Sequence, residues 1–567
     1  MATIGIDLGT TNSLAAYWTG SGPQLIPNAF GKQLTPSIVS VDDNGEILVG
    51  DIAKERLITH PHMTAAAFKR FIGTKKEYHL GRYSFLPEEL SSFVLKSLKS
   101  DAEAFLGEPV EEAIVSVPAY FNDMQRKATK NAAELAGLKV ERLISEPTAA
   151  ALSYGIHRLD TDTKFLVFDL GGGTFDVSIL ELFDGVIEVK AISGENFLGG
   201  EDFTDLLVSY FFETQRLDKE GADLKTRSAV YKQAELCKYA FSESTYGNMN
   251  VVISGKNLKL DIDRAHFERL AGQLLFRIRS TVERALRDSS LSPESINAIV
   301  LVGGASRMSL IRSAVGKIFG KIPFSSVNPD EAIALGTAVQ LALKERNADV
   351  GEIILTDVCP YTLGTNVSKA MERNQYESGF FLPIIERNTT IPVSKVERLY
   401  TVSNNQTKIC IEVYQGEGRK VEDNILLGEL NINIPLAPAG EQCVDIRYTY
   451  DINGILEVEA VVVKTGDKER LVIENNPGML TEKEIEERLK ALESIKIHPR
   501  EKSENRLLLA RGERLYEELL GERRAYVGEL LTQFDRLLSQ QNESDIKRGA
   551  KKLKMCLDEL ERKVDFE

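Results

Sequence analysis

The chain has few of the residues that define secreted scaffolds, zinc modules and histidine-based catalysts. Its 567 residues include five cysteines, six histidines and a single tryptophan. The cysteines lie at scattered positions, without the paired spacing of a zinc site or a disulfide framework, so we predict reduced core thiols. No two histidines have the spacing of a metal-binding helix. Zinc, redox and histidine chemistry are therefore poor explanations for this protein.

Long apolar runs and an excess of positive charge are also missing. No apolar stretch is long enough for a membrane-spanning helix. The formal net charge of −15 disfavours nucleic acid as the main partner, because phosphate backbones require a basic face. The first residues, MATIGIDLG, read as a strand and not as a basic, apolar leader. We therefore expect a cytoplasmic, multidomain protein that binds neither membrane nor nucleic acid.

The most informative stretch is FLVFDLGGGTFD, from Phe165 to Asp176. An apolar strand delivers the carboxylate of Asp169 to a turn of three glycines that ends at Thr174. Consecutive glycines let backbone N–H groups approach an anion closely. A carboxylate beside that anion must act through a cation or a water. The stretch predicts a phosphate site with Mg²⁺ next to Asp169, although a glycine-rich hairpin would read the same way on its own.

A second copy of this pattern, IGIDLGTTN, runs from Ile4 to Asn12 and carries Asp7. A third strand-to-glycine turn, IVLVGGASR, follows from Ile299 to Arg307. Strand-like and helix-like segments alternate around all three, which predicts an α/β domain over residues 1–350. Two aspartate-tipped strands in one domain indicate a duplicated nucleotide clamp.

Several charged residues of this domain look ordinary by themselves. Lys69, in AAAFKRFIG, reads as a solvated helix lysine. Glu146 follows a short strand and precedes Pro147, which is the usual place of a helix cap. Glu235 and Lys238 share one face of a predicted helix with Ser242, and such a face is usually solvated. Only their context gives them a further role.

The pattern of apolar and polar residues changes after residue 350. Residues 351–357 form an unusually apolar linker that we expect to dock. Residues 358–476 alternate apolar and polar positions between turn signals, which predicts a β-sandwich. Residues 477–567 show helical periodicity, beginning with the capping box Thr481–Glu484 and continuing through Leu515, Leu519, Val527, Leu530 and Phe534.

These motifs, taken in order, resemble the 70-kDa heat-shock chaperone family of the DnaK-like kind, along nearly the whole chain. The quoted runs are IDLGTTNS, FKRFIG, VPAYFNDMQRKAT, SEPTAAAL, FDLGGGTFDVSIL, LGGEDF, LVGGASRM, NPDEAIALGTAVQ, IILTDV and ERNTTIPV. The closest resemblance is to the shorter, divergent HscC branch. It implies an actin-like (duplicated ribonuclease-H-like) ATPase domain, then an antiparallel peptide-binding β-sandwich, then a short helical lid.

The resemblance also implies a role for individual residues, with ATP or ADP, Mg²⁺ and potentially K⁺ as cofactors. Asp7 and Asp169 would hold Mg²⁺ through water, Lys69 would face the γ-phosphate, and Glu146 would orient the attacking water or the metal. Thr174 completes the catalytic set. The other cofactor-binding residues would be Gly9, Thr10, Thr11, Asn12, Gly171, Gly172, Gly173, Gly199, Gly200, Glu235, Lys238, Ser242, Gly303, Gly304 and Arg307.

The same resemblance assigns residues outside the nucleotide site. Pro118, Arg126 and Asp357 would couple nucleotide state to the peptide-binding domain. The peptide groove would be formed by Thr365, Ser368, Tyr400, Ser403, Ile409, Ile411 and Val444. Thr365, Ser368 and Ser403 are more polar than the family pattern, so we expect a groove with an altered or narrower peptide preference.

Other departures concern the ATPase domain and a groove loop. The segment Gly73–Leu90 is shorter than in the family, so the resemblance no longer implies a conventional exchange factor. Tyr239 lies where some members have an arginine against adenine, and its ring would stack there instead. We also expect the inserted residues Ser368–Phe381 to lengthen a loop near the groove.

The expected function is an ATP-driven chaperone acting on unfolded or specific client polypeptides with a J-domain partner. One alternative is a sugar or acetate kinase on the same ATPase fold. Another is a filament-forming actin relative. A kinase would need a carboxylate aimed at a small acceptor, and neither alternative explains a peptide-sized sandwich followed by helices.

Overall fold

The computed structural model describes residues 2–140, 142–155, 163–183, 186–253, 255–324, 327–345, 354–370, 376–451, 454–473 and 498–564. Within these ranges the chain forms two compact units, Met1–Pro360 and Tyr361–Glu567. The predicted linker covers residues 351–357, and the structure describes it only from residue 354 onward. The two units are described separately.

The first half of the first unit is built on a mixed sheet that contains the first D-L-G strand. In chain order its elements are β1 (Ala2–Asp7), β2 (Asn12–Trp18), β3 (Pro23–Ile26), β4 (Thr35–Pro36), β5 (Ile38–Val41), β6 (Ile47–Val49), α1 (Asp51–Thr59), β7 (Thr64–Ala66), β8 (Tyr78–Leu80), β9 (Tyr83–Phe85), α2 (Pro87–Leu106), β10 (Val110–Val117), α3 (Asp123–Leu135), β11 (Leu143–Ser145) and α4 (Glu146–Ser153). The main sheet has the order β11-β10-β1-β2-β3.

The second half contains the second D-L-G strand. Its elements are β12 (Thr163–Leu170), β13 (Phe175–Phe183), β14 (Val186–Glu195), α5 (Gly200–Thr214), α6 (Leu224–Ala240), β15 (Tyr246–Ile253), β16 (Lys256–Asp263), α7 (Arg264–Leu270), α8 (Gly272–Asp288), β17 (Ala298–Val302), α9 (Ser309–Phe319), α10 (Ala332–Lys344) and β18 (Ile354–Val358). The main sheet has the order β17-β12-β13-β14-β18.

The two halves share one pairing pattern. β1 pairs antiparallel with β2 and parallel with β10, and β12 pairs antiparallel with β13 and parallel with β17. Each D-L-G strand is therefore central in its sheet and buried on both faces, which explains its continuous apolar run. The aspartate of each motif comes at the carboxyl end of its strand, where ligand sites of such sheets form. This repeat agrees with the predicted duplication.

The apolar linker segment continues the second sheet. Its described part, β18, pairs in parallel with β14, with Val186 opposite Ile354 and Glu188 opposite Thr356. A strand added to a sheet edge satisfies its backbone groups there. The described part of this segment is therefore a paired strand of the first unit.

The second unit contains two antiparallel sheets and a group of helices. Its elements are β19 (Leu363–Ala370), β20 (Tyr376–Ile385), β21 (Thr390–Ile391), β22 (Val393–Tyr400), β23 (Lys408–Gln415), β24 (Ile425–Asn433), β25 (Cys443–Tyr450), β26 (Leu456–Val462), β27 (Lys468–Ile473), α11 (Ser503–Glu518), α12 (Gly521–Gln540) and α13 (Glu543–Val564). The sheets have the orders β20-β19-β23-β24 and β22-β25-β26-β27, which fits the predicted β-sandwich.

Two expectations need correction. The inserted residues Ser368–Phe381 are not mainly a loop, because Ser368 belongs to β19 and the aromatic-rich residues from Tyr376 onward belong to β20. These strand-forming residues extend a hairpin. Cys237 and Cys359 are buried, as core thiols would be. Cys410 is exposed on β23, and Cys443 and Cys556 are only half-buried, so these three are not core thiols.

The helices of the second unit pack as their periodicity predicts. One buried core joins α11, α12 and α13, and it includes the predicted residues Leu515, Leu519, Val527, Leu530 and Phe534. The predicted capping box Thr481–Glu484 lies outside the described residues. No helix in the described ranges combines the length and apolarity needed to cross a bilayer.

Candidate functional site

One cavity of about 460 Å³ in the first unit collects most of the residues predicted from the sequence. Both motif aspartates, Asp7 and Asp169, open onto it, as the duplicated clamp requires. The other predicted residues in its wall are Gly9, Thr10, Thr11, Asn12, Lys69, Glu146, Gly171, Gly172, Thr174, Gly200, Glu235, Lys238, Ser242, Gly303, Gly304 and Arg307.

The two glycine-containing loops meet at close range. A Cβ atom added to Gly172 would lie 1.9 Å from Thr11 Oγ1, so no side chain fits between the loops. Gly173 and Gly199 are not in the cavity wall, in contrast to the prediction. Gly199 packs directly on the backbone of Gly172, and Gly173 packs against the side chain of Arg70. These two glycines therefore allow close packing around the Gly171–Thr174 loop without facing the cavity.

Lys69 and Glu146 form a buried ion pair inside the cavity. Lys69 is only 3% exposed, in a 3₁₀ turn from Phe68 to Phe71, and its Nζ donates to Glu146 Oε1 at 3.1 Å. The interpretation of Lys69 as a solvated helix lysine is therefore wrong. Glu146 is the first residue of α4 and not its cap. Buried ion pairs contribute little net stability, so their placement in a cavity points to a function.

The motif aspartates are crowded by other negative charge. Burial and, after it, the charge of Glu146 raise the pKa of Asp7 to about 7. Burial, followed by the charge of Glu146, also raises the pKa of Asp169 well above its ordinary value. Asp7 Oδ1 accepts a hydrogen bond from Ser116 Oγ at 3.0 Å. A bound cation would relieve this repulsion.

The donor set fits a hard divalent cation held through water. Asp169 Oδ2 is buried, and no hydrogen-bond partner for it occurs in the described part of the chain. Carboxylate oxygens and waters are the ligands that Mg²⁺ prefers. Among the described residues, no group of three acidic, histidine or cysteine side chains could bind a metal directly. Water-mediated binding by Asp7 and Asp169 is consistent with that arrangement.

Asp176 is a buried neighbour of the site that the sequence prediction did not name. It lies directly opposite Asp169 in the β12–β13 pair, so both side chains share one face of the sheet. Burial, with the charge of Glu146, raises the pKa of Asp176 to about 8, and the backbone N–H of Tyr120 donates to its carboxylate. The sequence did contain a signal for Asp176. The tight GGG turn joins two neighbouring antiparallel strands, so Asp169 and Asp176 come to lie opposite each other.

Arg70, Glu201 and Asp202 were missed as well. Arg70 Nη2 donates to Asp202 Oδ2 at 3.0 Å, and Arg70 Nη1 lies 3.6 Å from Glu201. Glu201 is part of the cavity wall, and burial raises its pKa to about 7. Nothing in the local sequence distinguishes these residues from a solvated charged turn.

The opposite end of the cavity is formed by α6 and the glycine turn after β17. Lys238 is buried there, which lowers its pKa, and its Nζ donates to Gly200 O at 3.0 Å and Thr204 Oγ1 at 2.8 Å. The interpretation of this helix face as solvated is thus wrong for Lys238. Arg307 forms an ion pair with Asp330 at 2.6 Å. The ammonium and the guanidinium are both held by protein oxygens.

The predicted coupling residues lie outside the cavity wall. Pro118 is buried at the end of β10. Arg126 donates from Nε to Phe121 O at 3.1 Å and from Nη2 to Ala119 O at 3.2 Å, so it holds the turn that follows β10. Asp357 lies in β18, and its Oδ1 accepts a hydrogen bond from the backbone N–H of Val358 at 2.8 Å.

The predicted peptide-binding residues are divided between the interior and the surface of the second unit. Ile409, Ile411 and Val444 are buried, whereas Tyr400 and Ser403 are exposed and Ser368 is half-buried. Thr365 is fully buried, and its hydroxyl donates to Glu412 O at 2.8 Å. The Thr365 hydroxyl therefore forms a hydrogen bond with the backbone inside the second unit.

A comparison with protein-family models gives one match over almost the entire sequence. The model described as "Hsp70 protein" matches residues 3–565. The match includes every residue of the cavity and extends through the second unit.

Proposed function

The chain belongs to the Hsp70 family, and we propose that it uses ATP hydrolysis in the first unit to control polypeptide binding by the second. Proteins of this family are ATP-dependent chaperones and ATPases that generally bind client polypeptides and J-domain co-chaperones. The family match does not favour a small-molecule kinase. Placement in the HscC branch, a cytoplasmic location and the absence of a conventional exchange factor stay predictions.

The observation that carries the proposal is the convergence of Lys69, Glu146, Asp7 and Asp169 on one cavity beside two glycine loops. Phosphoryl transfer requires positioning and charge neutralisation more than covalent chemistry. Two carboxylates that would hold Mg²⁺ through water, one buried lysine and a set of backbone N–H groups would supply both. We therefore assign the catalytic role to this group, with Thr174 beside it.

Each residue of the cavity has a distinct task in this proposal. Mg²⁺, when bound through the waters of Asp7 and Asp169, would neutralise phosphate charge, and the same oxygen-rich site would accept K⁺. Lys69 directs its ammonium at the γ-phosphate, and Glu146 fixes that ammonium while it orients the attacking water. The phosphates contact the loops at Gly9–Asn12 and Gly171–Thr174.

The coupling to the second unit runs, in this proposal, through β14. One end of β14 pairs with the linker strand β18, and its other end places Gly194 opposite Asp176, the cross-strand partner of the cavity residue Asp169. Docking and release of the linker would report the nucleotide state, with Pro118 and Arg126 holding the turn beside the cavity. To change a clamp from mostly open to mostly closed, nucleotide must favour one state by about 5.5 kcal/mol.

The binding partner of the second unit is an extended segment of an unfolded or specific client. The groove residues Tyr400, Ser403, Ser368, Ile409, Ile411 and Val444, with Thr365 behind them, would set its preference. Helices α11–α13 would form the lid. Because Ser368 and Ser403 are polar, we propose a preference that differs from a leucine-centred one, which a peptide array would reveal.

The decisive experiment measures single-turnover ATP hydrolysis with and without an unfolded peptide and a J-domain protein. We expect free phosphate as the product and a faster reaction when both partners are present. Phosphorylation of a small sugar or acetate would instead support the kinase alternative. Sedimentable polymer formed with ATP would support the actin-like alternative.

A further inference from the structure

The last helix of the second unit, α13, has a strongly basic segment on its exposed side. Four lysines and one arginine lie between Lys547 and Lys554. Lys551, Lys552 and Lys554 are exposed, and none of the three forms an ion pair within the described part of the chain. Together with Met555 these three residues are called the lysine face. Its positive charge stands out in a protein whose formal net charge is −15.

Three acidic residues of the same helix are already paired. Arg511 of α11 contacts Asp558 and Glu561, with 2.6 Å between Nη2 and one oxygen of each carboxylate. Before the lysine face, Arg548 forms an ion pair with Asp545 at 3.3 Å. These carboxylates are thus held by arginines and leave the charge of the three lysines without compensation from them.

The lysine face lies opposite the buried side of α13. Ile546, Leu553 and Leu557 are in the core that joins the three helices. With about 3.6 residues per turn, Met555 projects between the lysines on the other side, and it is 65% exposed. The lysines repel one another, because like charges three or four positions apart are neighbours on a helix. A flexible thioether in their midst can adapt to the side chain of a partner.

The composition of the face favours an acidic polypeptide over other anionic partners. A helix that lies on a membrane needs a continuous apolar face, but the apolar side of α13 is used by the core of the bundle. Single-stranded nucleic acid is usually bound with aromatic side chains, and α13 contains no aromatic residue. The net charge of −15 also opposes a large polyanion more than a short acidic segment.

We propose that the lysine face binds a short acidic segment of a partner polypeptide. The three ammonium groups contact its carboxylates, and Met555 contacts an apolar side chain between them. This inference goes beyond the proposed function, because it requires neither ATP nor the residues of the predicted peptide groove. A face that is only solvated would bind no such segment.

Fluorescence anisotropy of the whole protein with a labelled glutamate peptide that has one central leucine tests the proposal. We expect binding that weakens as salt is added, because exposed charges are screened. The combined changes Lys551→Gln, Lys552→Gln and Lys554→Gln should weaken binding roughly tenfold, the scale of three exposed ion pairs together. Met555→Ala should weaken binding of the leucine peptide and leave binding of a peptide with serine in that place unchanged.

The matched control combines Lys225→Gln, Lys232→Gln and Lys256→Gln, which remove the same charge from exposed positions of the first unit. It should bind the peptide like the wild type, and circular dichroism should show equal helix content in both triple variants. Equal affinity in the two variants, or no binding by the wild type, would overturn the inference. Tighter binding to phosphatidylglycerol vesicles or to single-stranded DNA than to the peptide would also overturn it.

Discussion

Arg70 and Asp202 connect the two halves of the first unit. Arg70 Nη2 lies 3.0 and 3.2 Å from the two oxygens of Asp202, and Asp202 Oδ2 also accepts the backbone N–H of Gly199 at 2.7 Å. The ring of Phe197 lies 5.7 Å from that of Phe71 in the same region. One carboxylate therefore links the turn that carries Lys69 to the glycine segment of the other half.

Asp202→Asn should release nucleotide faster, because the link across the cleft loses its charge. Charge-assisted hydrogen bonds contribute about 1.5–3 kcal/mol, so we expect an increase of roughly tenfold or more in the dissociation rate of fluorescent ADP. Stopped-flow fluorescence measures this rate. Glu213→Gln removes an exposed carboxylate from the same helix, α5, and should change nothing. Equal rates in the two variants would contradict a role for Arg70 and Asp202 in retention.

Lys69→Ala should still bind ATP but hydrolyse it roughly a hundredfold or more slowly, because a charge aimed at the transition state is lost. Single-turnover hydrolysis, measured after saturation with ATP, separates this effect from binding. Lys75→Ala, at an exposed position nearby, serves as the control. Normal hydrolysis by Lys69→Ala would show that the buried pair with Glu146 is only structural.

Asp176→Asn should stabilise the ligand-free protein more as the pH rises. The pKa of Asp176 is raised to about 8 by burial and Glu146, and it is lowered less by Lys69, the Tyr120 N–H and Arg126. When the pKa of a carboxyl group is higher in the folded than in the unfolded protein, the free energy of unfolding falls as the pH rises from the unfolded-state pKa to the folded-state pKa. The asparagine variant escapes that cost.

Thermal melting of wild type and Asp176→Asn at several pH values checks this prediction. The difference in the first melting transition should be small near pH 5 and should widen up to about pH 8. A difference that is independent of pH would mean that Asp176 does not titrate in this range. Added Mg²⁺ should reduce the difference if a cation offsets the crowded charge.

Asp357→Asn should leave basal ATP hydrolysis nearly unchanged and abolish its stimulation by peptide. Asp357 lies in the docked strand β18, outside the cavity wall, and its carboxylate accepts the N–H of Val358. The measurement is the ratio of ATP turnover with and without unfolded peptide. Full stimulation in this variant would argue against the linker as the coupling element.

The sequence by itself determined the features that depend on neighbouring residues. Glycine runs after apolar strands predicted the loops at Asp7 and Asp169, because only residues without side chains allow such close approach. Alternation predicted the strands of the sandwich, and helical periodicity predicted the buried face around Leu515 and Phe534.

Only the tertiary structure decided which charged residues leave the solvent. Lys69 and Glu146 are 77 positions apart, and Arg70 and Asp202 are 132 apart, so no local pattern marks either pair. The inward position of the Thr365 hydroxyl and the strands within the inserted hairpin depended in the same way on distant partners. Burial of a polar group is decided by what the whole fold places against it, and a single segment of sequence does not contain that information.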